Sequence, residues 1–200
     1  VKMLEKYNGA ILADAVGLGK TFSALAVMYY YQRKGYSVLL FCPKKLEQNW
    51  KQYLRKADSR FERDGFDYEV RFHTDESHNL RNDKSSRYQM LLNDIIAYQK
   101  NRGNRFVKVL ELSATPINNK FKDLRNQFKL IAQGNDNAFD VDGLEIESLQ
   151  ELFSTSERKF TEWCETDINN RKISDFIKML SPKFFSLTDK MIVARTRDLI

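Results

Sequence analysis

Apolar positions along this chain fall into short continuous runs, separated by stretches with helical spacing. GAILAD, Gly9 to Asp14, is a short apolar run ending in a glycine-rich turn. TFSALAVMYYYQRK, Thr21 to Lys34, has helical length, and Gly35 stands where a cap belongs. SVLLFCP, Ser37 to Pro43, is continuous rather than alternating, as in a parallel-sheet strand covered on both faces. A helix with aromatic and basic residues is expected from Leu46 to about Lys56, then a shorter alternating strand at Tyr68–Phe72 (YEVRF). SSRYQMLLNDIIAYQ, Ser85 to Gln99, is a strongly amphipathic helix with serine at its start. FVKVLELS, Phe106 to Ser113, is another strand, and a helix follows from Phe121 to Ala132. Beyond the Gly/Asn/Asp-rich break GNDNAFDVDG, the last 55 residues read as mostly helical with weak strand signals.

Strand, turn, helix, strand, helix predicts an α/β fold with a mainly parallel central sheet flanked by helices. The change of composition near Gln133–Gly143 marks a boundary between residues 1–132 and a mostly helical 133–200.

Charge refines this picture. The net charge of +6 is unevenly spread: residues 135–167 carry ten acidic and two basic side chains, and residues 168–200 carry seven basic and three acidic. The first 134 residues therefore carry +10, a surface suited to a polyanion. Two distant cysteines, Cys42 and Cys164, lack metal-ligand spacing, and no apolar run reaches eighteen residues. These features point to a reducing intracellular setting, cytoplasmic, or nuclear in a eukaryote, without a membrane span.

The candidate chemistry begins at ADAVGLGKTFSA, Ala13 to Ala24. A phosphate-binding loop needs glycines so that backbone N–H groups can curl around anionic oxygens. It also needs a helix N-terminus, a lysine for β/γ charge and a hydroxyl for Mg²⁺. Gly17, Gly19, Lys20 and Thr21 supply these in order, and Leu18 and Phe22 complete the segment. The strict G-x-x-x-x-G-K-[ST] pattern would put glycine at position 14, where this chain has Asp14.

Three further segments follow in order. LLFCPKKLEQNWKQYL brings Pro43, Lys44, Lys45 and Trp50 after a strand, and seven basic residues oppose three acidic ones from Lys44 to Arg63. Lys44 and Lys45 suit phosphate contact, and Trp50 suits a core. DESH, Asp75 to His78, is either a metal-and-water carboxylate motif or a solvated charge cluster. LELSATPINN, Leu110 to Asn119, runs a strand into a Ser-Ala-Thr turn.

ADAVGLGKT, PKKLEQNW, DESH and LSATP together resemble the motif series of superfamily II motors. The closest likeness is to Swi/Snf-type DNA translocases, whose nucleotide loop commonly reads DEMGLGKT. The resemblance covers residues 1 to about 132 well and the remainder loosely. It implies a first RecA-like lobe that binds ATP and Mg²⁺ on Gly17 to Phe22, with Lys20 on the phosphates. Thr21 and Asp75 would hold the metal, Asp75 partly through water, and Glu76 would polarise the attacking water. His78 would link the nucleotide site to the next motif, and Ser113 and Thr115 would couple nucleotide state to lobe movement. Pro43, Lys44 and Lys45 would meet the nucleic-acid backbone, and duplex DNA is the expected polymer. MIVARTRDLI, Met191 to Ile200, resembles the arginine-rich segment that closes the first lobe, with Arg195 and Arg197 as matching charges.

One segment departs from the family. A buried hydrophobic strand should precede Asp75, yet the residues there are Arg71, Phe72, His73 and Thr74, and only 31 residues separate Pro43 from Asp75. A missing segment is therefore expected between about Phe72 and Asp75. A second RecA-like lobe is also expected beyond this chain. It would bring the arginine fingers, worth roughly 10³–10⁵ in rate, so the chain alone should be nearly inactive. Rival readings are the motor lobe of a restriction or phage-defence system and a regulatory nucleic-acid-binding module without turnover. A metabolic P-loop kinase would need neither LSATP nor the basic strip after Pro43.

Overall fold

The computed structural model describes residues 1–53, 70–74 (backbone alone), 82–101, 107–113, 116 and 120–196. The chain divides into two units, Val1–Lys20 with Arg81–Ile200, and Thr21–Leu80.

The first unit is built on a parallel three-stranded sheet in the order β4-β1-β5, formed by β1 (Gly9–Leu12), β4 (Val109–Leu112) and β5 (Ile192–Val193). Helix α1 (Lys2–Tyr7) precedes β1 and ends at Asn8, which takes the left-handed conformation at φ 58°. All four residues of β1 are buried, as a strand hydrogen-bonded on both edges requires. Register runs from Gly9 opposite Val109 to Leu12 opposite Leu112, and Ile11 and Leu12 face Ile192 and Val193 on the other edge.

Helix α4 (Ser86–Asn101) starts at Ser85, whose Oγ accepts the Tyr88 N–H at 3.2 Å. Tyr88 is fully buried and donates its hydroxyl to the Asn126 carbonyl at 2.7 Å. That carbonyl belongs to α5 (Phe121–Ile131), whose Phe121, Leu124, Phe128 and Ile131 recur at helical spacing and are all buried.

Helices α6 (Leu149–Glu165), α7 (Ile173–Met179) and α8 (Pro182–Met191) complete this unit. Residues on either side of the expected boundary at 132/133 share one core: Phe128, Ile131 and Ala132 cluster with Phe139, Leu144, Ile146, Phe153 and Leu187. Aromatic edges knit it, with Phe128 5.9 Å from Phe139 and Phe153 5.6 Å from Phe184. Serines cap the starts of α6 and α8. Ser148 accepts from Glu151 N–H at 3.0 Å, and Ser181 precedes a proline at the first turn of α8.

In the second unit, α2 (Lys20–Gln32) supplies the helix expected after the glycine-rich turn. Gly35, at φ 78°, donates to Gln32 O at 2.8 Å, and Tyr36 N–H reaches Tyr31 O at 3.0 Å, the paired bonds of a Schellman ending. Strands β2 (Val38–Cys42) and β3 (Val70–Thr74) pair in parallel, from Val38 opposite Val70 to Cys42 opposite Thr74. The expected strand at 68–72 thus stands two residues later. The expected two-sided covering of β2 is incomplete, since Leu39 is 52 % exposed. After a 3₁₀ turn at Lys44–Leu46, the chain is helical over 47–53 (α3), with Trp50 buried as a core residue. Phe72, His73 and Thr74 hold successive positions of β3, and the junction to Asp75, where missing chain is expected, lies outside the described residues.

Gly9 sits in β1 against α5, where an added Cβ would stand 2.2 Å from Ile131 Cγ2. Gly9→Ala should therefore force the helix off the sheet and cost about 1–3 kcal/mol in chemical denaturation. Cys42 is buried, and burial, reinforced by Glu47, raises its thiol pKa, whereas Cys164 is partly exposed. Alkylation of the native protein near neutral pH should label Cys164 first, with Cys42 reacting only on unfolding, as read by peptide mass mapping.

Candidate nucleotide-binding site

The buried run of β1 ends at Ala13 and Asp14, and the chain then turns through Ala15 to Gly19 into the first turn of α2. Gly17 and Gly19 take φ 88° and 77°, a region that side chains with a Cβ disfavour. The turn needs glycine at both places, and its Leu18 N–H bonds back to Ala15 O at 3.3 Å. Val16 and Gly17 are exposed, and Leu18 and Gly19 half-buried, so the loop's outer side is open.

Lys20 folds back along the loop. Its Nζ donates to the Asp14 carbonyl at 2.7 Å and to the Ala15 carbonyl at 3.2 Å. An ammonium satisfied by two loop carbonyls and half-buried is preset for a nearby anion, which has only to displace neutral acceptors. Thr21 follows as the second residue of α2, where a hydroxyl can serve a cation held beside phosphate. Phe22 is 62 % exposed, and its ring lies edge-on to Tyr53 at 5.3 Å.

Asp14 is wholly buried and does not face the loop's open side as a ligand would. Arg195 occupies its carboxylate. The Arg195 Nε donates to Oδ1 at 3.1 Å and to Oδ2 at 3.0 Å, Nη2 donates to Oδ2, and the Arg195 backbone N–H donates to Oδ1 at 3.0 Å. These bonds from Arg195 hold the Asp14 pKa below the usual carboxylate range, against the opposing effect of burial. The sign follows from linkage. A lowered carboxylate pKa contributes stability at neutral pH and loses it as pH falls through that lowered value. The ladder beside β1 also continues past β5, with Ala13 N–H to Val193 O at 2.7 Å and Ala15 N–H to Arg195 O at 3.0 Å.

The other expected site residues are placed as follows. Ser113 follows β4, and its N–H donates to Leu12 O at 3.0 Å, which ties the start of the SATP segment to the end of β1. In the second unit, Pro43 opens the 3₁₀ turn and accepts the Leu46 N–H at 2.8 Å, leaving Lys44 and Lys45 exposed. Asp75, Glu76, His78 and Thr115 lie outside the described residues, as does Arg197.

Sequence reasoning picked out Asp14 as a departure and Arg195 as a matching charge, but did not join them. The signal was present: an acid closing a fully apolar strand needs a cation, and Arg195 follows the apolar Met191–Ala194.

Comparisons with known proteins show what the chain is similar to. Residues 1–64 match the SNF2-related domain. Over 166 residues, 66 % of this chain, the sequence is 28 % identical to the uncharacterized ATP-dependent helicase YqhH of Bacillus subtilis (strain 168), covering 28 % of that protein. The Sulfolobus solfataricus SWI2/SNF2 ATPase core in complex with dsDNA aligns with 98 % of this chain and 42 % of its own, at TM-score 0.51 and 22 % identity. The chain thus spans less than half the length of either protein. Residues 1–64 are similar to the SNF2-related domain, and the fold of the chain is like that of the SWI2/SNF2 ATPase core.

Proposed function

We propose that this chain is the ATP-binding lobe of an ATP-driven motor that moves along duplex DNA. The observation that carries the reading is the loop itself: two glycines at positive φ between a buried strand and a helix, with Lys20 held on loop carbonyls. The wider motor function draws support from the likeness to a protein named as an ATP-dependent helicase and to an ATPase core bound to dsDNA.

In this reading the loop N–H groups and the N-terminus of α2 receive the nucleotide phosphates, and Lys20 leaves its carbonyls to pair with the β/γ oxygens. Thr21 and Asp75 fit a divalent cation by donor chemistry, a hydroxyl and a carboxylate, whereas Asp14 is withdrawn from that duty by Arg195. Magnesium, when bound, neutralises charge on the phosphate oxygens. Glu76 accepts the proton of the attacking water, and His78 carries the nucleotide state onward. Ser113 and Thr115, on the segment after β4, transmit that state to lobe movement. Pro43 shapes the turn that presents Lys44 and Lys45 to the DNA backbone, a contact that positions without reading sequence.

The test is ATP hydrolysis by the full-length protein, alone and with duplex DNA, single-stranded DNA or RNA. Turnover should rise mainly with duplex DNA. It should fall by about 10²-fold or more in Lys20→Ala and in Glu76→Gln. Stimulation chiefly by RNA or single strands would replace translocation with strand separation. Absence of turnover with every polymer would overturn the motor reading in favour of a regulatory module.

A further inference from the structure

The root of the nucleotide loop is held by a residue 181 positions away. Residues 14 and 15 each face two ways. Their carbonyls accept the Lys20 ammonium, at 2.7 and 3.2 Å. On the other side, the Asp14 carboxylate takes the Arg195 guanidinium, and the Ala15 N–H donates to the Arg195 carbonyl at 3.0 Å. Arg195 thus grips both residues that carry the acceptors of Lys20.

The charges make this grip consequential. The Asp14 side chain has no exposed surface, whereas that of Arg195 is half exposed. Removing one partner of a buried pair leaves the other charge uncompensated, which is far costlier than removing both. The other cation that acts on Asp14 is Lys20. Without Arg195, the buried carboxylate would draw the Lys20 ammonium toward itself and away from the phosphates.

We propose that Arg195 is a positioning residue for the nucleotide loop, neutralising Asp14 so that Lys20 remains available to the nucleotide. The inference rests on the nucleotide-binding reading above. It gives Asp14, which departs from the strict glycine pattern, a definite role: it locks the loop to the segment that leaves β5. It also explains why one arginine donates from both its guanidinium and its backbone N–H to a single carboxylate, with a planar fork that a lysine could not reproduce.

The experiment measures equilibrium binding of a fluorescent ATP analogue to the full-length protein, with thermal unfolding of each variant recorded without nucleotide. The variants are Arg195→Ala, Arg195→Lys, Asp14→Asn and the double variant Asp14→Asn/Arg195→Ala. Arg195→Ala should weaken binding by about tenfold or more, the scale of one lost charge-assisted contact. The double variant should recover most of that loss, because the buried charge that diverts Lys20 is gone. Arg195→Lys should fall between Arg195→Ala and the unaltered protein. Wild-type affinity in Arg195→Ala, with only a lowered melting temperature, would reduce Arg195 to a structural contact and overturn the proposal. So would a double variant that binds no better than Arg195→Ala. If Arg195→Ala does not fold, the double and Arg195→Lys variants decide, since each avoids an unpaired buried carboxylate. Failure of the unaltered protein to bind the analogue would sink the nucleotide-binding reading itself, an outcome distinct from unaltered binding in the variants.

Discussion

The pairing of β1 on both edges is the constraint on which the glycine turn after it depends. β4 lies along one side, β5 pairs with Ile11 and Leu12 on the other, and all four residues of the strand are buried. Gly9 lets α5 press close enough for Ile131 to fill the space that a side chain would take. The loop then begins from a fixed point. Everything flexible or reactive about Gly17, Gly19 and Lys20 is referred to that point.

Fixing the strand by β5 has a second consequence. The pairing brings residues 192–195 beside residues 11–15, and with them a guanidinium to a carboxylate that would otherwise be buried without a partner. Hydrophobic burial sets this up, because Leu187 and Met191 of α8 are fully buried in the shared core and aim the chain at the open edge of β1. An apolar helix thus determines where a charge arrives.

The acidic stretch 135–167 stood apart from the motif series, and part of it now has a structural explanation. Asp136 accepts the Gln150 N–H at 2.8 Å and the Ser148 hydroxyl, so it helps close the start of α6, where negative charge is favourable. The Gly143 carbonyl accepts from Lys190 and, at 3.3 Å, from Ser186, which ties the acidic loop to α8. The composition break there marks a loop within one core rather than a division between cores.

Much was legible in the chain itself. Continuous apolar runs at GAIL and VLLFC, the helical length of 21–34 and the amphipathic spacing of 85–99 and 121–132 are local patterns, and local patterns survive folding. The glycines of GLGKT, too, announce their positive φ because few other residues tolerate it. The two-residue strand β5 was out of reach, since its partner lies 181 residues earlier and nothing within Ile192–Val193 encodes a register. The half-exposed Leu39 shows the same limit from the other side, because an apolar run states a preference for cover without supplying it. The sequence by itself determined the α/β class and the glycine-bounded turn between β1 and α2, both of which are written in residue types and short spacings. Only the tertiary structure decided that Asp14 belongs to Arg195 and that Lys20 waits on its own loop, because a buried charge takes whichever partner long-range packing brings to it.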